Sequence, residues 1–100
     1  MKQICALMLA MIMTVQVSAY TPHECGGNRI TASGAECQEG VTVAFNGLPL
    51  GTVIEYEGHQ YVVQDRCGID GVVDIFMESY DKAIKFGRRH NQIIRVIRLP

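Results

Sequence analysis

The stretch HQYVVQDRCGIDGVVDIFM, residues 59–77, decides the fold. HQYVVQD (59–65) and VVDIFM (72–77) are rich in Val, Ile and aromatic residues, bounded by glycines, and are predicted strands. In VVDIFM successive side chains point to opposite faces, so Val73, Ile75 and Met77 share one side while Val72, Asp74 and Phe76 share the other. With the aliphatic trio as core, Asp74 lies mid-strand on a partly apolar outer wall. That setting disfavours the charged form and raises the carboxyl pKa. An acid so placed holds its proton near neutrality and can donate it. Asp65 closes the preceding strand, and the loop RCGIDG returns the chain toward it, so Asp65 is either a turn former at a strand end or a second carboxylate that meets Asp74 at one end of a groove. Asp70-Gly71 reads as an Asp-Gly turn.

Outward from this stretch, Gly or Pro punctuates the sequence every few residues, which implies many short strands. VTVAFN (41–46) alternates with Val41, Val43 and Phe45 on one side. TVIEYE (52–57) and HQYVVQD flank Gly58 as a hairpin with a Glu57-Gly58 turn, and IIRVIRL (93–99) is a last strand. In SYDKAIKFGRR (79–89) a short helix is predicted: Ser79 caps it, Ala83, Ile84 and Phe86 face a core, and Gly87 stops it. The fold class expected is mainly all-β, a small barrel or sandwich with one short helix. Closure into a barrel also removes exposed strand edges.

Of the 100 residues, the first nineteen read as a secretory signal peptide: Lys2, the apolar run ICALMLAMIMTVQV, then Val17-Ser18-Ala19 with cleavage after Ala19. The domain expected is then residues 20–100, exported to a periplasmic or extracellular, wall-associated location, with no stable membrane insertion after cleavage. A domain of that size has a marginal core. An exported chain permits a disulfide, and Cys25, Cys37 and Cys67 are the candidates, with the pairing open. Their spacings match no zinc knuckle, so no metal or other cofactor is expected.

Between Tyr20 and Asp81 ten acids face only Arg29 and Arg66, whereas Lys82, Lys85, Arg88, Arg89, Arg95 and Arg98 follow with no acid. In an exported protein this tail reads as a solvated basic face attracted to an anionic polymer, or as a balance to the acidic body, rather than as a nucleic-acid surface.

Thr31 and Ser33 of ITASG are further candidates for hydrogen-bonding a sugar or peptide. With these residues in place, the order of segments becomes recognisable. YTPHECGGNRITASG, VAFNGLPLGTVI, YVVQDRCGIDGVVDIF, KAIKFGRR and a final IIRVI resemble the three-aspartate (3D) domain, over about Tyr20 to Leu99. That family has a six-stranded double-psi β-barrel and occurs in wall-active secreted proteins and in the catalytic core of membrane-bound lytic transglycosylase A.

The resemblance implies that Asp74 of VVD is the catalytic residue, that Asp65 of VQD is its neighbour in the groove, and that Thr31 lines the same groove. It implies cleavage, without water, of the β-1,4 bond between N-acetylmuramic acid and N-acetylglucosamine in peptidoglycan strands. Asn46 stands where the family carries its first aspartate, and Asp70 stands near the place of a lysine; with Thr31 and Ser33 they complete the expected substrate-binding set. DRCGIDGVVD is also similar to the loop of expansins and rare-lipoprotein-A-like barrels, which share the double-psi fold and in several cases bind or loosen walls without hydrolysing them. Three functions therefore stand side by side: a lytic transglycosylase, a non-catalytic wall-binding or wall-loosening module, and a secreted protein-binding scaffold.

Overall fold

The computed structural model describes residues 11–24 and 28–100. Its elements are β1 (Met11–Tyr20), a 3-10 turn (Pro22–Glu24), β2 (Thr42–Ala44), β3 (Val53–Tyr56), β4 (His59–Asp65), β5 (Val72–Phe76), α1 (Tyr80–Phe86) and β6 (Arg89–Arg98). The strands close into a six-stranded barrel in the order β1-β5-β2-β4-β3-β6. The barrel is mixed: β1 runs parallel to β5 and β2 parallel to β4, and the other pairings are antiparallel. An all-β barrel with one short helix is what the sequence predicts, and the mixed closed topology is compatible with a double-psi barrel.

The alternation read in residues 41–77 holds. Val43, Phe45, Ile54, Val63, Val73 and Ile75 fill one core with Val15, Val17 and Ile94, and Met77 packs at its edge. The β3–β4 hairpin turns on Glu57 and Gly58, both at positive φ, the twist that a two-residue hairpin favours. Ser79 caps α1 by accepting a hydrogen bond from the Lys82 amide, and Gly87 ends it at φ 65°. Phe86 packs on the core, but Ile84, expected to face it, is 61% exposed. The helix covers one end of the barrel beside β1 and turns Ile84 away from it.

Among the described residues β1 already runs from Met11, ahead of the domain start expected at Tyr20. Residues 11–19, which composition alone assigns to a leader, form most of β1, the strand that joins β5 to β6. Val15 and Val17 point into the core, while Thr14, Gln16 and Ser18 alternate with them. That period of two, with polar residues at every second place, is a strand pattern set within the C-terminal half of an apolar run. Residues 1–10, where the remainder of the proposed signal peptide falls, lie outside the described residues.

Two arginines of the basic C-terminal segment are paired with acids, while Lys82, Lys85, Arg88 and Arg98 are exposed. Arg95 pairs with Glu55 at 2.6 Å and Arg89 with Glu57 at 3.1 Å, both across the β3–β6 side of the barrel, and Arg89 also stacks on the Phe86 ring.

Candidate active site

The site lies on the outer wall of four adjacent strands. Ser18 of β1 is in register with Asp74 of β5, Asp74 with Ala44 of β2, and Ala44 with Asp65 of β4. The row therefore reads Ser18, Asp74, Ala44, Asp65 across the sheet. The carboxylates stand two strand spacings apart, each about 4.8 Å, and the small Ala44 leaves the floor between them low.

Asp65 reaches this row through a shift in register. Val43 is opposite Val63, yet Ala44 is opposite Asp65, so β4 carries one extra residue, Gln64, against β2. Strict alternation from the core residue Val63 would turn residue 65 inward. The irregularity turns Asp65 to the outer wall instead, a common use of a bulge beside a functional site. There its Oδ1 accepts hydrogen bonds from the Ala32 amide at 3.0 Å and the Arg66 amide at 2.9 Å.

The Ala32 bond shows what the TASG segment does. Thr31 is buried, and its hydroxyl donates to the Ala35 carbonyl at 2.7 Å and meets the Ser33 hydroxyl at 2.8 Å. The Ser33 amide donates to the Gln64 carbonyl. Thr31 is thus spent on shaping a loop that presents the Ala32 amide to Asp65, and it does not open to the groove. Ser33 is exposed at the loop tip.

Asp74 is half-buried. Ser18 Oγ donates to its Oδ1 at 2.8 Å, and the Cys67 thiol lies 3.9 Å from its Oδ2. Burial pushes the carboxyl above its ordinary value, the direction expected from the sequence. The Ser18 hydrogen bond opposes that rise, nearby Glu24 adds to it, and Arg88 and Cys67 oppose it. The apolar wall is a small second cluster of Tyr20, Cys37, Ala44 and Phe76, with Cys67 packed against it.

Tyr20 belongs to the same site. It lies two residues beyond Ser18 on β1, in register with Phe76, and its hydroxyl is 3.8 Å from Cys37 Sγ. Burial raises its phenol pKa far above the ordinary value, and the charges of Asp65 and Asp74 and a hydrogen bond to Asp65 add to the rise. Tyr20 is thus a neutral hydroxyl within the field of both carboxylates. Ser18 escapes a reading that places residues 11–19 in a leader, and the polar alternation of Thr14, Gln16 and Ser18 is the signal that finds it; Tyr20, at the start of the expected domain, is the next residue on that same face.

One step further along β2's outer face, Asn46 closes the loop between β4 and β5. Its Nδ2 donates to the Cys67 carbonyl and to Asp70 Oδ1, both at 2.8 Å, and its Oδ1 accepts from the Cys67 amide at 2.9 Å. An aspartate there has no N–H to donate and would face Asp70 with like charge. Asn46 and Asp70 therefore form a matched pair that shapes the loop, and Asp70 does sit at a turn before Gly71, whose φ is 80°. Arg66 anchors the other side of the loop, its Nη1 donating to the Phe45 and Leu48 carbonyls at 2.7 Å.

Among the cysteine candidates, Cys67 carries a free thiol, so the Cys37–Cys67 staple is not formed. Cys37 is not a free thiol, and Cys25 lies outside the described residues. Among the described residues no cluster of His, Cys, Asp and Glu is placed to hold a metal ion, and no helix is long and apolar enough to cross a membrane.

The fold and site define a class: a closed mixed β-barrel with a carboxyl pair and a buried tyrosine on its outer wall. Compared with known proteins, the chain matches no family model and no curated protein.

Proposed function

We propose that this protein is an exported, peptidoglycan-active enzyme of the lytic transglycosylase type, built on a 3D-like double-psi barrel. The observation that carries the reading is Asp74: a half-buried carboxyl with its pKa raised, oriented by Ser18, in register with a second carboxyl across Ala44.

The chemistry needs one group that acts first as acid and then as base. Asp74 gives its proton to the glycosidic oxygen as the bond from that oxygen to C1 of the muramic sugar breaks. The resulting carboxylate takes the proton of the same sugar's 6-hydroxyl as O6 bonds to C1. Asp74 is regenerated, and the products are a free hydroxyl on the leaving sugar and a 1,6-anhydro ring. No water enters. Ser18 occupies Oδ1 and leaves Oδ2 to carry the proton. Asp65, fixed by two backbone amides, supplies negative charge beside the cationic transition state.

In this reading export proceeds through the apolar N-terminal run, with any cut falling before Met11 so that β1 is kept. One disulfide involving Cys37 belongs to the same proposal.

A second reading, a wall-binding module without catalysis, is favoured by one observation: Asn46 and Asp70 are spent on each other where the resembled family places an acid and a lysine. Digestion of purified peptidoglycan by the full chain and by Asp74→Asn separates the two. An enzyme releases 1,6-anhydro fragments that the variant does not; a binder releases none and pellets with the wall in both forms.

A further inference from the structure

The barrel closes, yet β1 outruns one of its two neighbours. β5 pairs with Gln16 to Tyr20 only, whereas β6 pairs with β1 from Met11 onward. Met11 to Val15 therefore have a partner strand on one side and, among the described residues, none on the other. The last bond on the β5 side runs from the Gln16 amide to the Gly71 carbonyl at 2.9 Å. The irregularity between Val15 and Val17 is taken up by β6, where Asn91 has φ 55°, so β1 itself stays regular. Backbone groups alternate in direction along a strand, so Thr14 and Ile12 turn their N–H and C=O the same way as Gln16, past the end of β5. Such a row is a template for another strand.

This edge lacks the usual protection. MIMTV (11–15) carries no charge and no proline, and Met11 and Ile12 are 49% and 58% exposed. Beside the edge lies a groove of about 310 Å³, lined by Met13, Thr14 and Val15 and, across from them, by Phe45, Gly47 and Asp70. Asp70, the one acid in its lining, already accepts a hydrogen bond from Asn46 at 2.8 Å. The edge itself therefore offers no charge that would select a foreign partner.

We propose that this edge is closed by a second copy of the chain, the two β1 strands pairing antiparallel about a two-fold axis at Met13. In that register Ile12 faces Thr14 of the copy, and Thr14 faces Ile12 of the copy. Each facing pair exchanges both N–H···O=C bonds, so the outward groups of Ile12 and Thr14 are all satisfied and none is left over. A slip of one residue sets these groups against backbone turned the other way. A slip of two toward the C-terminus sets Ile12 against Gln16, whose amide is already committed to Gly71. One patch serves both partners, as a two-fold interface requires. Met11 of the copy comes to lie beside Val15, at the mouth of the groove next to Phe45, and is covered there. The uncharged strands meet without repulsion. The proposal stands apart from the glycan reading.

The test is the mass of the full chain by analytical ultracentrifugation over a dilution series, with amide hydrogen exchange read by NMR, in wild type, Thr14→Pro and Ile12→Lys. Thr14→Pro deletes one outward N–H, a change that an edge strand tolerates. Ile12→Lys sets a charge at an exposed position of the edge. The expected result is a wild-type mass of two chains at high concentration, protection of the Ile12 and Thr14 amides that rises with concentration, and association weakened roughly tenfold or more in both variants. Should either variant unfold, the concentration dependence of the wild-type protection decides alone. A single-chain mass at every concentration, whether those amides are open to water or covered by the chain's own residues, overturns the proposal. So does a dimer that persists unchanged in the folded variants, or protection of these amides that appears only when phosphatidylglycerol vesicles are added.

Discussion

A chain that begins at Tyr20 should not fold. It lacks the residues of β1 that place Val15 and Val17 in the core, where they are 5% and 0% exposed. Burying a valine is worth about 1.5–3 kcal/mol, so these two side chains alone supply roughly 3–6 kcal/mol. β1 also carries backbone ladders to both β5 and β6, each bond worth about 0.5–1.5 kcal/mol net. Small domains hold only about 5–15 kcal/mol in total. Deletion therefore removes about as much as the fold has, and it leaves β5 and β6 with open edges that invite aggregation. Val17→Ala is the graded control, expected to cost about 2 kcal/mol and to lower the midpoint by on the order of 10 °C. The assay is urea and thermal unfolding by circular dichroism, with amide NMR dispersion, on the full chain, Val17→Ala and residues 20–100. A residue 20–100 chain with native dispersion and an unchanged midpoint would refute the placement of β1. On the proposed export, N-terminal sequencing of the secreted form is expected to find a chain that begins at or before Met11.

Asn46→Asp should destabilise the β4–β5 loop by about 1–3 kcal/mol, through lost donors and repulsion from Asp70. Asn46→Asp with Asp70→Lys should recover much of that loss, and a double-mutant unfolding cycle reads the coupling. Asp74→Asn is expected to gain stability relative to wild type as pH rises. The folded carboxyl pKa lies above its unfolded value, so wild-type stability falls as pH climbs through the interval between them. The Asn variant has no such proton to lose; parallel unfolding curves from acid to neutral pH would contradict the burial assigned to Asp74. Without reduction, alkylation followed by mass mapping should label Cys67 and leave Cys37 unlabelled, and a protected Cys67 would refute its free thiol.

The parts of this fold that are legible in sequence are those where local rules decide. Val73, Ile75 and Asp74 alternate in a short strand, Glu57-Gly58 makes a hairpin turn, and Ser79 and Gly87 bound a helix. β1 is obscured because a signal peptide's apolar core and a buried strand draw on the same residues; only Thr14, Gln16 and Ser18 tell them apart. Asp65 reaches the outer wall by a register shift against β2, which no periodicity within β4 announces. Thr31 looks like a groove residue until its hydroxyl is seen donating within its own loop. Asn46 and Asp70 are far apart in sequence, and their pairing is a property of the closed barrel.

The most direct measurement of the central claim is mass spectrometry of purified peptidoglycan after incubation with the full chain, Asp74→Asn and Ser18→Ala. Wild type is expected to release 1,6-anhydro fragments, Asp74→Asn none, and Ser18→Ala fragments with an altered pH profile, because one influence holding the Asp74 pKa down is gone. Equal release by wild type and Asp74→Asn, or no release by any form, would contradict Asp74 as the acid and base of this site.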